Sequence, residues 1–301
     1  MYKGLFKQEE TAAMRIGSMF HLILLEADKY VDKYIVSDFE KPKSPQMESF
    51  LDEVIKLKIN GLSIDSSADK IYELYSLSYK RPISKKDSAT NEAYDAIKSN
   101  MAYINAKVEA LSQKKEIVPE IEHNMVCRMV ESVFSNRAAK SLLESRDSKF
   151  IEQPLLFKSA QGIQCKAKPD LFIVNEESEE ITLVDIKTCK ENVLGGFVSE
   201  FYKRKYYRQL AFYNEAIKMN GYDSYDIYHK IIVVNKEENI YDSAVYNINA
   251  HDIQRGKQEA YDLLTQITYS IINDCWDFPV NYYTGNGAYD MPSKFEKQNY
   301  V

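Results

Sequence analysis

The chain has 301 residues, 45% of them hydrophobic, with a formal net charge of -6, which allows one large core or a core with a helical appendage. The acidic balance argues against a protein that coats nucleic acid indiscriminately, although it leaves room for a local basic groove. No apolar run approaches the roughly 20 residues that cross a bilayer, and no secretory signal pattern opens the chain, so the expected location is the cytoplasm with no membrane contact.

Taken in order, Thr11 to Ala27 carries apolar residues at helical spacing and predicts a mostly buried helix. On it Gly17 and His21 lie one turn apart: His21 is either a satisfied core residue or an imidazole offered to a metal. Asp28 to Lys43 reads as irregular, with a strand-like YIV. Pro45 to Ile59, Ser66 to Leu77, Ser88 to Leu111 and Pro119 to Phe134 read as amphipathic helices, with a short one from Ser135 to Glu144. The expected organisation is a single domain of 301 residues. It comprises the helix at 11–27, a helical subdomain at 44–148, a sheet-containing catalytic core at 149–275 and a C-terminal tail at 276–301.

At Lys149 the period turns extended. KFIEQPLLFK reads as one strand, and Glu152 within it is either an outer metal ligand or an edge-strand charge. Next, Leu171 to Val174 and Ile181 to Val184 flank the polar Asn175 to Glu180 and predict a β-hairpin. Facing residues in an antiparallel hairpin share a constant index sum, so a turn centred between Glu177 and Ser178 sets Asp170 opposite Asp185. Directly opposed Cβ atoms are about 5 Å apart, and two carboxylates that close call for a shared cation or proton. Lys187, two residues on, shares the face of Asp185. The plainer alternative is a surface ion pair near a Pro-Asp turn. Against it, Val184 and Ile186 bracket Asp185 as in a central strand, where a charge needs a reason.

Glu200 to Asn220 reads as one helix with Tyr206, Gln209 and Tyr213 on one face and a basic start at Lys203, Arg204, Lys205 and Arg208. Such a helix suits a phosphate backbone led to a metal site, or else is an ordinary amphipathic helix with core-facing tyrosines. Asp226 to Asn235 and Ile240 to Asn249 predict a second hairpin, and Asp252 to Asp274 a long closing helix. Neither a phosphate-binding P-loop nor a dinucleotide glycine fingerprint occurs.

Four pieces in this order resemble the PD-(D/E)XK nuclease superfamily, and within it the RecE-like, or exonuclease VIII-like, phage and prophage exonucleases. GSMFHLILLE is similar to that family's G-x-x-x-H-x-x-L-L-E helix, KPDLFIV with VDIKT to its PD and D-x-K core, YYRQLAFY to its Q-x-x-x-Y helix, and NDCWDFP to its closing motif. The resemblance implies an α/β (α+β) fold, a mixed central sheet flanked by helices with a helical subdomain. It also implies that Asp170, Asp185 and His21 ligate Mg²⁺ or Mn²⁺ together with the carbonyl of Ile186. Lys187 would handle the attacking water, and Gln209 and Tyr213 would position DNA or Lys187. Further implications are 5′ to 3′ digestion of linear double-stranded DNA for recombination, a ring-shaped homo-oligomer (trimer or tetramer) and a RecT-like single-strand annealing partner. Iron-sulfur relatives carry one cysteine upstream and three clustered near the C-terminus. Cys127, Cys165, Cys189 and Cys275 do not follow that pattern and form no C-x-x-C pair, so no cluster is expected.

Overall fold

A computed structural model of the chain describes residues 11–39, 42–62, 68–79, 86–190, 193–237 and 239–276. The basic residues Lys80, Arg81 and Lys85 and the tail beyond Trp276, including the end of NDCWDFP, lie outside them. The chain divides into two compact units, Met1–Cys127 and Arg128–Val301.

The first unit contains α1 (Ala12–Leu25), α2 (Ala27–Lys33), β1 (Tyr34–Val36), α3 (Pro45–Ile59), α4 (Ala68–Tyr79), α5 (Lys86–Ser99), α6 (Met101–Gln113) and β2 (Glu116–Val118). Helix α3 starts where Ser44 caps the amide of Met47 and proline stands in the first turn, where its missing N–H is harmless. Phe50, Leu51, Val54 and Ile55 then bury one stripe against Ile71, Ala93, Ile97 and Ile104. Three expectations need correction here. The stretch after Asp28 begins as helix, α2, rather than irregular chain, while its strand-like YIV is β1 as expected. The block is not all helical, because β1 pairs in parallel with β2. The long helix expected from Ser88 to Leu111 is two helices, interrupted at Asn100, whose side-chain amide bonds back to the carbonyl of Ala96.

Helix α7 (Glu120–Ser135) crosses the boundary between the units. The second unit continues with α8 (Arg137–Leu143), β3 (Ser148–Ile151), β4 (Leu155–Lys158), β5 (Gln164–Ala167), β6 (Leu171–Asn175), β7 (Glu180–Cys189), α9 (Gly196–Lys203), α10 (Tyr206–Lys218), β8 (Asp226–Asn235), β9 (Ser243–Ile248) and α11 (Ala250–Asn273). Its main sheet is mixed, in the order β3-β6-β7-β8-β9: β7 is antiparallel to β6 and parallel to β8, and β3 is an edge. The fold class expected from the sequence, α/β with a mixed sheet flanked by helices, is the one observed.

Two expectations fail by the same cause. KFIEQPLLFK is not one strand, since Glu152 takes a φ of 50° and breaks it into β3 and β4, the latter pairing with β5 in a separate two-stranded sheet. Glu200 to Asn220 is not one helix, since Lys205 takes a φ of 55° between α9 and α10. Both are left-handed conformations that side chains seldom adopt.

One face of the main sheet carries Phe172 and Val174 of β6, Ile181 and Leu183 of β7, and Ile231 and Val233 of β8, packed under Tyr207, Leu210, Ala211 and Ile217 of α10. Helix α11 lies close on α10 because Gly256 presents no side chain there: a Cβ would meet the carbonyl oxygen of Tyr207 at 2.5 Å and the Cβ of Ala211 at 2.9 Å.

Candidate active site

The β6–β7 register runs Leu171 opposite Val184 through Asn175 opposite Glu180. Continued by one residue, the same index sum sets Asp170 opposite Asp185, as the sequence predicts. The β3–β6 register, Phe150 opposite Phe172, likewise sets Glu152 opposite Asp170, and the Glu152 amide donates to the Asp170 carbonyl oxygen at 3.0 Å. Three carboxylates thus occupy one rung across three neighbouring strands, on the face that α10 covers.

Asp185 is fully buried, and its Oδ2 lies 2.7 Å from the Lys187 Nζ. Period-two alternation carries Ile181 and Leu183 onto this apolar face, and then delivers Asp185 and Lys187 into it. Asp170 is 9% exposed, and its Oδ2 accepts the amide hydrogen of Ile186 at 2.7 Å. Burial raises the Asp170 carboxyl to about 6, and nearby Glu152 adds to this, while Lys187 and the Ile186 amide oppose it. Glu152 stands just past β3 and makes an ion pair with Lys168.

From α10, the Tyr206 ring lies under the Lys187 ammonium at 4.9 Å, and Gln209 Nε2 donates to the Tyr213 hydroxyl at 2.8 Å. Burial raises the Tyr213 hydroxyl to about 12, with Asp185, Asp170 and Glu152 adding to it, so this group faces the carboxylates as a neutral donor. Tyr206 is likewise raised to about 12, mainly by burial.

The basic residues around the joint between α9 and α10 are placed differently. Lys203 is exposed, Arg204 pairs with Glu200 at 2.6 Å, and Lys205 and Arg208 lie 3.4 and 3.7 Å from the Glu259 Oε2. Glu259 also receives the Tyr207 hydroxyl at 2.8 Å and Arg255 at 3.1 Å. Burial would raise Glu259, but these donors and cations hold it below the usual carboxylate range. Sequence reasoning missed Glu259, because nothing in α11 alone announces a partner 50 or so residues upstream. It also missed Lys168, although its position beside Pro169 and Asp170 was a signal. His21 sits on α1 in the first unit, half-buried, with its ring edge-on to Phe20.

Hard oxygen donors from three carboxylates on one rung, two of them buried, fit a small divalent cation such as Mg²⁺ or Mn²⁺ better than a thiolate-seeking metal. A mixed sheet bearing Asp170, Asp185 and Lys187 on one hairpin defines a nuclease-like class. The family described as "PDDEXK-like domain of unknown function (DUF3799)" matches residues 1–276, and the chain belongs to it. A crystal structure from Eubacterium rectale, provisionally described as an exonuclease, is similar at 11% identity and a TM-score of 0.41, covering 91% of this chain and 96% of that one. A structure described as SSO0001 is similar at 12% identity and a TM-score of 0.27, covering 73% and 87%. No curated protein matches the chain.

Proposed function

We propose that the chain is a divalent-metal-dependent DNA exonuclease acting on linear double-stranded DNA. The observation that carries this reading is the single rung that aligns Glu152, Asp170 and Asp185 beside Lys187.

In this reading Asp170, Asp185 and the Ile186 carbonyl hold Mg²⁺ or Mn²⁺, with Glu152 as an outer ligand and His21 as a further one. The bound cation supplies positive charge to the scissile phosphate and acidity to water. Lys187, anchored between Asp185 and the Tyr206 ring, directs the attacking water and donates hydrogen bonds to charge that develops on the phosphate. Gln209 and Tyr213, joined by a hydrogen bond, position DNA or Lys187. Lys203, Arg204, Lys205 and Arg208, with Tyr206, lead the DNA backbone toward the rung. Polarity of 5′ to 3′, a ring-shaped homo-oligomer and a RecT-like annealing partner in a bacterial or phage-infected cytoplasm complete the reading, and these rest on the resemblance of the motifs. Among the described residues no helix is long and apolar enough to cross a membrane.

The test digests linear duplex labelled at either end with Mg²⁺, using wild type, Lys187→Ala and a closed circular control. Release of the 5′ label by wild type only, with the circle intact, supports the proposal. DNA binding without cleavage in Mg²⁺ or Mn²⁺ overturns it in favour of a binding module of the same fold.

A further inference from the structure

Two cavities open where α10 and α11 meet, along the part of α10 from Ala211 to Lys218, and they share Gln254 and Lys257 as a common wall. Their volumes, about 260 and 480 Å³, suit a small molecule spread across both. The larger is basic. Lys218, Lys230 and Lys257 line it against one carboxylate, Asp226. Lys257 makes no ion pair among the described residues, whereas Lys218 and Lys230 bond only to neutral oxygens, the Asp223 carbonyl and the Asn247 amide. Deep in the same cavity lies the Asn214–His229 pair. Asn214 is 3% exposed, its amide lies 3.0 Å from His229 Nε2, and its Oδ1 is buried without a hydrogen-bond partner among the described residues.

The smaller cavity is aromatic and amide-rich. Phe157 and Phe212, with ring centroids 5.2 Å apart, line it with Tyr261. Gln161 and Gln258 add amide groups there, and Glu215 one carboxylate. Among the described residues the buried Oε1 of Gln161 has no hydrogen-bond partner, although its amide nitrogen bonds to the carbonyl of Tyr261. Flat rings beside amide groups and such an acceptor are the surroundings of a heterocycle that carries N–H donors.

We propose that the paired cavities bind a nucleoside monophosphate, its phosphate among Lys218, Lys230 and Lys257 and its base against Phe212 and Tyr261. Lysine ammonium groups recognise phosphate as point charges, and the lone Glu215 carboxylate lies at the base end, where an exocyclic amine offers it a donor. The site is separate from the carboxylate rung and does not depend on how that rung is read. A nuclease that releases mononucleotides would meet this ligand as its own product.

The test is calorimetric titration of the full chain with AMP in EDTA, so that metal-dependent binding at the rung does not contribute. Saturable binding is expected, weakened about tenfold or more, ~1.4 kcal/mol or more, by Lys257→Ala and by Tyr261→Ala. Asp185→Asn is expected to bind as wild type does, and adenosine and inorganic phosphate are each expected to bind at least about tenfold more weakly than AMP. The proposal is overturned if AMP does not saturate at millimolar concentration, or if phosphate alone binds as well. It also fails if Asp185→Asn abolishes binding while Lys257→Ala leaves it intact. Cleavage assays read the rung separately, so either proposal can fail alone.

Discussion

The carboxylate of Asp170 accepts the backbone amide hydrogen of Ile186 at 2.7 Å, tying the start of β6 to the residue between Asp185 and Lys187. This bond fixes one oxygen of Asp170 toward β7 and holds a charge where burial disfavours it. Replacing Asp170 with Asn keeps an acceptor for the Ile186 amide and removes the charge. Asp170→Asn is therefore expected to melt a few degrees higher than wild type in EDTA, about 2–4 °C per kcal/mol for a unit of this size, and to lose metal-dependent cleavage. Melting curves with and without Mn²⁺ check it; a lower melting temperature in EDTA contradicts the role given to buried charge.

Lys187 is the cation beside the fully buried Asp185. Truncation leaves an uncompensated buried charge, which typically costs about 3–5 kcal/mol. Lys187→Ala is expected to be destabilised on that scale without metal, and to gain more stability than wild type on adding Mn²⁺, because the cation then takes over the compensation. Denaturant titrations at several metal concentrations distinguish this from a simple packing loss, which metal would not restore.

Glu259 neutralises Lys205 and Arg208, two of the residues assigned to the DNA backbone. Glu259→Gln is expected to lower stability by about 1–3 kcal/mol through partners left incompletely satisfied. It should also tighten DNA binding at low salt and steepen the log-affinity against log-salt slope by about 1–2. An unchanged slope would place both cations away from the DNA.

Gly256 lets α11 approach α10 to a distance that no side chain permits. Gly256→Ala must push against the Tyr207 backbone and is expected to cost about 1–3 kcal/mol. Chemical unfolding measures it. Stabilisation, as expected from replacing a helical glycine without a clash, would show that the helices stand further apart.

Burial, with Lys257 nearby, lowers His229 to about 4 from an ordinary 6.5. The unfolded chain therefore takes up a proton between these values while the native state does not, so stability falls as pH drops from about 6.5 toward 4. Two to three pKa units correspond to about 3–4 kcal/mol at the acid end. His229→Gln is expected to flatten this part of the stability curve and leave it unchanged above pH 7. A curve that matches wild type throughout would rule His229 out as the source.

The hairpin that carries Asp170 and Asp185 was legible because its turn is polar, its arms are apolar and antiparallel pairing turns a turn centre into a full register. Helix α3 was legible for a similar reason, with Ser44 and Pro45 marking its start. What stayed hidden was decided at single residues of unremarkable type. Glu152 and Lys205 take left-handed backbone conformations without being glycine or asparagine, so nothing in their side chains marks the break. The parallel pairing of β1 with β2 joins residues some 80 positions apart, a distance over which local periodicity carries no information. The same holds for the site: Asp170, Asp185 and Lys187 stand close in the chain, but the carboxylate that meets Lys205 was fixed by packing of a distant segment.

Strand β7 pairs with β6 over Glu180–Val184 and with β8 along all ten of its residues, and past Val184 the Ile186 amide is held by the Asp170 carboxylate. Asp185 and Lys187, the aspartate and lysine of the proposed chemistry, thus sit on a strand that β8 holds throughout. Amide hydrogens from Val184 to Lys187 belong among the slowest-exchanging in this unit, since releasing them requires β7 to part from its neighbouring strands or from the Asp170 carboxylate. Adaptation to a bound molecule therefore falls outside this strand, and in the proposed reading the carboxylate rung acts as the stationary jaw of the site.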